Sequence, residues 1–168
     1  GPLFNLNGEV IGINRAIRTT NYSESGDPLN SGVGFAIAIN IAKRVVPGLI
    51  HNGSYDYPYM GISSLSDLNL QTIEALNLER FTGAYVLGVT ADSPAERAGI
   101  IPGTNAGSQN GLPTGGDLII GIDGIDVIQF DDLLKYLINN KGPGDTVILT
   151  VLRDGKVIDV SMTLDKRP

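Results

Sequence analysis

The sequence predicts a mainly β fold with a few short helices, of the α+β class. Three observations carry that expectation. Apolar runs are short and are separated by turn dipeptides such as Asn7-Gly8, Asp123-Gly124 and Asp154-Gly155. Glycine is abundant, at 22 of 168 residues, which suits tight turns better than long helices. Helical spacing of apolar residues is confined to a few brief stretches, of which Phe130–Asn139 is the clearest.

The elements follow in order. Phe4 to Ile13 reads as a hairpin about Asn7-Gly8. Arg15 to Gly32 is polar and turn-rich, and is expected to be a surface loop. Val33–Ile39 is a third strand, too apolar for a solvated edge. Asn40 is a good N-cap for a helix over Ile41–Val46, with Pro47 and Gly48 limiting its extent. Three strands and a short helix are too little to close a core.

His51 to Pro58 has linker composition. A second pattern then begins. Tyr59–Ser63 is a short strand, Leu68–Leu78 a short helix and Ala84–Val89 a strand. Ser93 caps a helix with Pro94 at its first position and Glu96 three residues on, and Gly99 stops it. Asp117–Ile122 is a strand running into the Asp123-Gly124 turn. Phe130–Asn139 is an amphipathic helix whose apolar arc is wider than one core face needs, because Leu134 and Ile138 lie beside Phe130, Leu133 and Leu137. After Gly142–Asp145, Val147–Leu152 and Val157–Met162 form a hairpin about Asp154-Gly155.

Composition excludes several functions. There is no cysteine, hence no disulfide, no thiol nucleophile and no cysteine-ligated metal. A lone histidine, His51, cannot build a multi-histidine centre, and no metal or cofactor is expected. The formal charge is −6: residues 1–54 carry four basic and three acidic side chains, so residues 55–168 carry 8 and 15, a net of −7. That sign repels phosphate backbones and anionic lipid, so neither nucleic acid nor an acidic membrane surface is expected as partner. No run approaches the ~18 apolar residues of a membrane span.

Titratable residues have ordinary structural readings. His51 sits in the linker, without a nucleophile to serve. Asp131 and Asp132 suit the positive end of a helix. Asp117, Asp123 and Asp126 are strand-end and turn acids without calcium-loop spacing. Gly32-Val33-Gly34 lacks the third glycine of a dinucleotide loop. Asn21-Tyr22-Ser23 and Asn52-Gly53-Ser54 are chance matches to the glycosylation sequon.

One stretch points to binding. A glycine at position 61 between Met60 and Ile62 lets backbone N–H groups approach an anion, and a strand beginning at Ile62 can pair with an added strand. Met60, Ile62, Leu134 and Ile138 can wall an apolar pocket. The residues alone favour the plainer reading, in which these are core residues and Gly61 is only a turn.

Taken together, Tyr59-Met60-Gly61-Ile62, Ser93-Pro94-Ala95-Glu96-Arg97-Ala98-Gly99, Gly116-Asp117-Leu118-Ile119, Ile122-Asp123-Gly124 and Leu152-Arg153-Asp154-Gly155-Lys156 resemble a PDZ domain of the bacterial, circularly permuted kind. Gly1-Pro2-Leu3-Phe4, Asn7-Gly8-Glu9-Val10-Ile11-Gly12-Ile13-Asn14 and Gly34-Phe35-Ala36-Ile37 resemble the end of a trypsin-like barrel of the HtrA/Deg protease family. That family's serine motif, Gly-Asn-Ser-Gly-Gly-Pro-Leu, would place its last glycine at Gly1 and its serine two residues earlier.

The resemblance implies residues 1–50 as the C-terminal strands and helix of a chymotrypsin-like barrel, 51–58 as linker, and 59–168 as the PDZ domain with an insertion at 104–116. It implies peptide binding by Tyr59, Met60, Gly61, Ile62, Ser63, Leu134 and Ile138, with apolar C-termini or unfolded proteins as ligands. It implies protein quality control in the cell envelope, in the periplasm or another extracytoplasmic space. The parent would be a trimeric serine endopeptidase, whereas this chain carries no catalytic residue and is expected to be inactive. An alternative is a structural or oligomeric role without peptide binding, in which the strands of 1–39 form a dimer or a swapped assembly. Family members often carry an arginine before the binding loop; here Asp56, Tyr57 and Pro58 stand there.

Overall fold

The computed structural model describes residues 1–104 and 111–168. It divides into two compact units, Gly1–Tyr55 and Asp56–Pro168. The first contains β1 (Pro2–Phe4), β2 (Val10–Tyr22), β3 (Pro28–Ala38) and α1 (Ile39–Asn52). The second contains β4 (Pro58–Tyr59), β5 (Ile62–Ser64), α2 (Leu70–Leu76), β6 (Ala84–Val89), α3 (Pro94–Arg97), β7 (Leu118–Ile122), β8 (Ile125–Asp126), α4 (Phe130–Asn140), β9 (Thr146–Arg153), β10 (Lys156–Thr163) and β11 (Asp165–Lys166). The architecture is mixed, mostly strands in open sheets, as expected.

In the first unit β1, β2 and β3 form an antiparallel sheet in chain order. The expected loop over Arg15–Gly32 is instead mostly strand. Thr19, Thr20 and Tyr22 are polar but β-favouring, so their polarity marks solvent exposure and does not prevent pairing. The turn is confined to Ser23–Asp27, where the Ser23 N–H donates to the Asp27 carbonyl (2.8 Å) and the Asp27 N–H to the Ser23 hydroxyl (3.0 Å). Helix α1 starts one residue before Asn40, at an Ala38 cap with no side-chain bond, and passes through Pro47. A proline removes one intrahelical bond without ending the helix here. The stop is Gly53, left-handed at φ +71°, whose N–H reaches the Leu49 carbonyl. His51 therefore lies in the last helical turn. The unit buries little: Ala42 is its one buried apolar side chain, while Leu3, Phe4, Ile11, Ile13, Phe35 and Ile37 are exposed.

The second unit is built on a sheet of order β10-β9-β7-β6-β5, with β8 paired to β7. Strand alternation sorts its side chains into two clusters. Ala84, Val86, Ile119, Ile122, Val147, Leu149 and Val151 join Leu133 and Leu137 of α4 and Met162 in the larger core. Tyr85, Leu118 and Ile120 face the other way and pack with Leu76 of α2. Asp117 is wholly buried and neutralised by Arg153: Nε and Nη2 each donate at 2.7 Å, and the Ile101 N–H adds a third bond at 2.9 Å. Residues 105–110 of the expected insertion lie outside the described residues. Beside them, Thr104 and Thr114 exchange backbone bonds of 2.8 and 2.7 Å.

Candidate functional site

The expected strand over Tyr59–Ser63 breaks at Met60–Gly61 into β4 and β5. The cause is Gly61, whose φ of +83° is left-handed. Space enforces the same choice, since a Cβ at position 61 would fall within the Ser93 side chain.

Three carbonyls in a row are tied down around this break. Pro58 has no N–H, and the Arg167 N–H donates to the Tyr57 carbonyl (2.9 Å), so the β4–β11 register pairs the Tyr59 N–H and C=O with Asp165. The Met60 carbonyl accepts from the Ala95 N–H at 2.9 Å, and the Gly61 carbonyl accepts from the Thr90 N–H at 2.8 Å. In a trans peptide the N–H points opposite to the C=O of the same plane, and no peptide bond of the described chain is cis. The N–H groups of Met60, Gly61 and Ile62 therefore turn away from Asp165, Ala95 and Thr90. Among the described residues the N–H groups of Met60 and Gly61 donate to no backbone or side-chain acceptor.

The pairing of β5 with β6 completes the arrangement. The Thr90 N–H bond to Gly61 makes Ile62↔Val89 a non-hydrogen-bonded pair and Ser63↔Gly88 a hydrogen-bonded one. Ile62 thus presents its N–H and C=O to the outer edge of β5, which ends the sheet. Ser63 spends its backbone on Gly88, and its hydroxyl donates to the Gly88 carbonyl at 3.3 Å.

Helix α4 shares a core with β5. Phe130, Leu133 and Leu137 pack into the core shared with Ile62. Tyr136 lies on one flank of that face, where its hydroxyl donates to Asp123 Oδ2 at 2.8 Å. Leu134 and Ile138 lie on the opposite flank, about 200° round the helix from Tyr136. Because Tyr136 is bonded to Asp123 in the β7–β8 turn, Leu134 and Ile138 lie on the flank of α4 away from that turn. Leu134 is 40% exposed and Ile138 half-buried.

The structure thus places the sequence-derived candidates in different roles. Met60 is 4% exposed and belongs to the core. The Tyr59 backbone is committed to β11, while its hydroxyl donates to Thr90 Oγ1 at 3.2 Å. Gly61 and Ile62 offer N–H groups, and Ile62, Leu134 and Ile138 offer apolar surface. Asp131 and Asp132 sit in the first turn of α4, where Asp132 Oδ2 accepts from the Ile128 and Gln129 N–H groups at 3.2 and 3.1 Å. Asp56, beside the loop, pairs with Lys166 at 2.7 Å.

Sequence reasoning missed the anchors. Ser93, Ala95 and Thr90 fix the loop, although Ser93 and Ala95 were visible only as the start of a helix. Asp123 was legible as a turn acid but not as a junction. Burial by itself would raise its carboxyl, yet Lys141, the Ile148 N–H and the Tyr136 hydroxyl hold it below the usual carboxylate range. Among the described residues no group of three or more His, Cys, Asp or Glu side chains could hold a metal ion. No helix there is long and apolar enough to cross a membrane.

Comparisons with known proteins identify the family. The PDZ domain family matches residues 58–164. The chain is 35% identical over 168 residues to a protein of Marinomonas sp. (strain MWYL1) named a probable periplasmic serine endoprotease DegP-like, covering all of this chain and 31% of the relative. It is 34% identical over 168 residues to a protein of the same name from Chlamydia trachomatis, covering all of this chain and 30% of the relative. The serine protease Do-like HtrB of Bacillus subtilis is 34% identical over 173 residues, covering 99% and 33%. Among solved structures, the HtrA-type protease AlgW with a decapeptide superposes with a TM-score of 0.70 at 29% identity, over 96% of this chain and 43% of that one. The serine endoprotease from Yersinia pestis gives 0.58 at 26% identity, over 100% and 47%. The chain therefore spans about a third of the length of these curated relatives and under half of these structures.

Proposed function

This chain belongs to the PDZ domain family and resembles the HtrA/DegP serine endoproteases in sequence and structure, and from that premise we propose that its second unit captures the C-terminal ends of polypeptides that finish in an apolar side chain. The carboxylate is received by the N–H groups of Met60, Gly61 and Ile62. The residues before it add as a strand to the free edge of β5. The terminal side chain lies against Ile62, Leu134 and Ile138. The observation that supports this reading is the tethering of the Tyr59, Met60 and Gly61 carbonyls to Asp165, Ala95 and Thr90, which turns the N–H groups of Met60, Gly61 and Ile62 away from those partners.

The magnitudes are adequate. Hydrogen bonds to a charged acceptor are worth about 1.5–3 kcal/mol each. Burying one aliphatic side chain adds about 1.5–3 kcal/mol. These offset the ordering cost of a short peptide to give modest affinity. The names of the relatives supply the setting, a periplasmic serine endoprotease; within the proposal this unit presents unfolded or tagged chains there for protein quality control. The chain spans about a third of the length of its curated relatives, and hydrolysis is assigned to the larger protein.

The test is a library of short peptides with free and amidated C-termini titrated against the 168-residue protein. Binding that requires both the free carboxylate and an apolar last residue supports the proposal. Equal affinity for free and amidated ends overturns it.

A second reading concerns the first unit. The exposed Leu3, Phe4, Ile11, Ile13, Phe35 and Ile37 favour β1–β3 as an association surface, as a dimer or swapped pair. A strict monomer in sedimentation up to about millimolar protein would exclude such weak pairing.

A further inference from the structure

The groove's apolar wall is a helix, and the structure shows what fixes that helix. Asp123 opens the turn between β7 and β8 at φ +48°, followed by Gly124 at φ +80°. Its N–H donates to the Ile148 carbonyl at 2.8 Å, and its Oδ1 accepts from the Ile148 N–H at 2.7 Å. The carboxylate is therefore immobilised against β9 before it meets α4. Its second oxygen takes two bonds from α4 and its C-cap: the Tyr136 hydroxyl at 2.8 Å and Lys141 Nζ at 2.9 Å. Lys141 Nζ also donates to the Thr146 carbonyl at 3.0 Å, and its N–H closes the helix on the Leu137 carbonyl. Side-chain exposure is 20% for Lys141 and 21% for Asp123, so solvent screens this pair only in part.

The consequence is mechanical. The core contact through Phe130, Leu133 and Leu137 is apolar and carries no directed bond. Two directed bonds are made on one flank. Tyr136 and the Leu134–Ile138 pair occupy opposite flanks of that contact, so a small roll of α4 about its axis moves Leu134 and Ile138 relative to the core that α4 shares with Ile62. The bond at Tyr136 sets the roll, and the bond at Lys141 sets the position along the axis.

Resting on the peptide-binding reading above, we propose that Asp123, Tyr136 and Lys141 are positioning residues that set the depth of the apolar pocket and so decide which terminal side chain the site prefers. They touch no peptide. They act through the placement of Leu134 and Ile138, while carboxylate capture by Met60, Gly61 and Ile62 is fixed separately by Thr90, Ala95 and Asp165. Selection by side-chain size and capture of the charged end are thus mechanically independent parts of one site.

The experiment measures affinities of the wild-type protein and of Tyr136→Phe, Lys141→Gln and Asp123→Asn for peptides ending in valine and in phenylalanine, each free and amidated. Asparagine tolerates the left-handed backbone at 123 and keeps an acceptor for the Ile148 N–H, which preserves the turn. The expected result is a change of about fivefold or more in the valine-to-phenylalanine affinity ratio, with the free-to-amidated ratio unchanged. A loss of folding stability alone scales all affinities together and leaves the first ratio where it was, so an unchanged valine-to-phenylalanine ratio in all three variants overturns the inference while wild-type binding stands. Wild-type protein that ignores amidation overturns the peptide-binding reading and this inference with it.

Discussion

Replacing Gly61 by alanine tests the backbone argument where it is most exposed to failure. Two costs can be separated from the geometry. Alanine at φ +83° costs about 1–2 kcal/mol in backbone strain. Its Cβ also falls within the Ser93 side chain, which is 3% exposed and has no free space to retreat into. Moving Ser93 disturbs the cap whose hydroxyl accepts the Glu96 N–H at 3.4 Å, and losing such a cap costs about 0.5–2 kcal/mol. The expected destabilisation of Gly61→Ala is about 2–4 kcal/mol by urea denaturation.

The second variant, Ser93→Gly, removes the obstructing Cβ, and glycine is a fair cap. In the double variant the steric part should be recovered and the strain part should remain, giving a coupling of about 1–2 kcal/mol. Peptide affinity should fall about tenfold or more in Gly61→Ala, because relaxing φ turns the Gly61 carbonyl from Thr90 and with it the Ile62 N–H. Destabilisation below about 0.5 kcal/mol, or an absent coupling, would refute the claim that this loop is held by backbone geometry and by Ser93.

Other predictions follow from single contacts. Arg153→Met should cost about 3–5 kcal/mol in denaturation, because Asp117 stays buried with the Ile101 N–H as its remaining partner; adding Asp117→Asn should restore part of that loss. Tyr85→Phe should cost about 1–3 kcal/mol, since the hydroxyl both donates to the Pro113 carbonyl (2.8 Å) and accepts from the Gly116 N–H (2.9 Å) in a buried setting. The Asp123 junction should leave its mark on pH dependence. The lowered Asp123 pKa contributes stability that is present above the ordinary carboxylate range and lost as pH falls through the folded value, below the usual 3.8. The Lys141 pKa is raised, chiefly by its bond to Asp123, so its contribution is complete below the usual 10.5 and lost as pH rises through the folded value. Thermal melts of the wild type and Lys141→Gln should therefore converge at both extremes of pH and differ most between them; a constant gap would contradict the assignment.

Much of the second unit was legible because its signals are local. Ser93 with Pro94 and Glu96 announces a helix start, since the cap and the bond it makes lie within one turn. Asp123-Gly124 and Asp154-Gly155 announce tight turns, since left-handed φ values are a property of the dipeptide, and both were found. The order of these pieces was enough to suggest the PDZ resemblance. Local signals also misled. Thr19–Tyr22 read as loop because polarity was taken for irregularity, and Pro47 read as a helix end although Gly53 provides it.

The class of fold and the tight turns at Asn7-Gly8, Asp123-Gly124 and Asp154-Gly155 were already legible in the residues. The tertiary structure alone brings the Met60 side chain into the core and its carbonyl to Ala95, pairs Ser63 with Gly88, and bonds Asp123 to Tyr136 and Lys141. The reason is that a peptide plane is aimed by whatever its carbonyl meets. For Tyr59, Met60 and Gly61 those partners are Asp165, Ala95 and Thr90, which are remote in sequence and become neighbours only when the sheet closes.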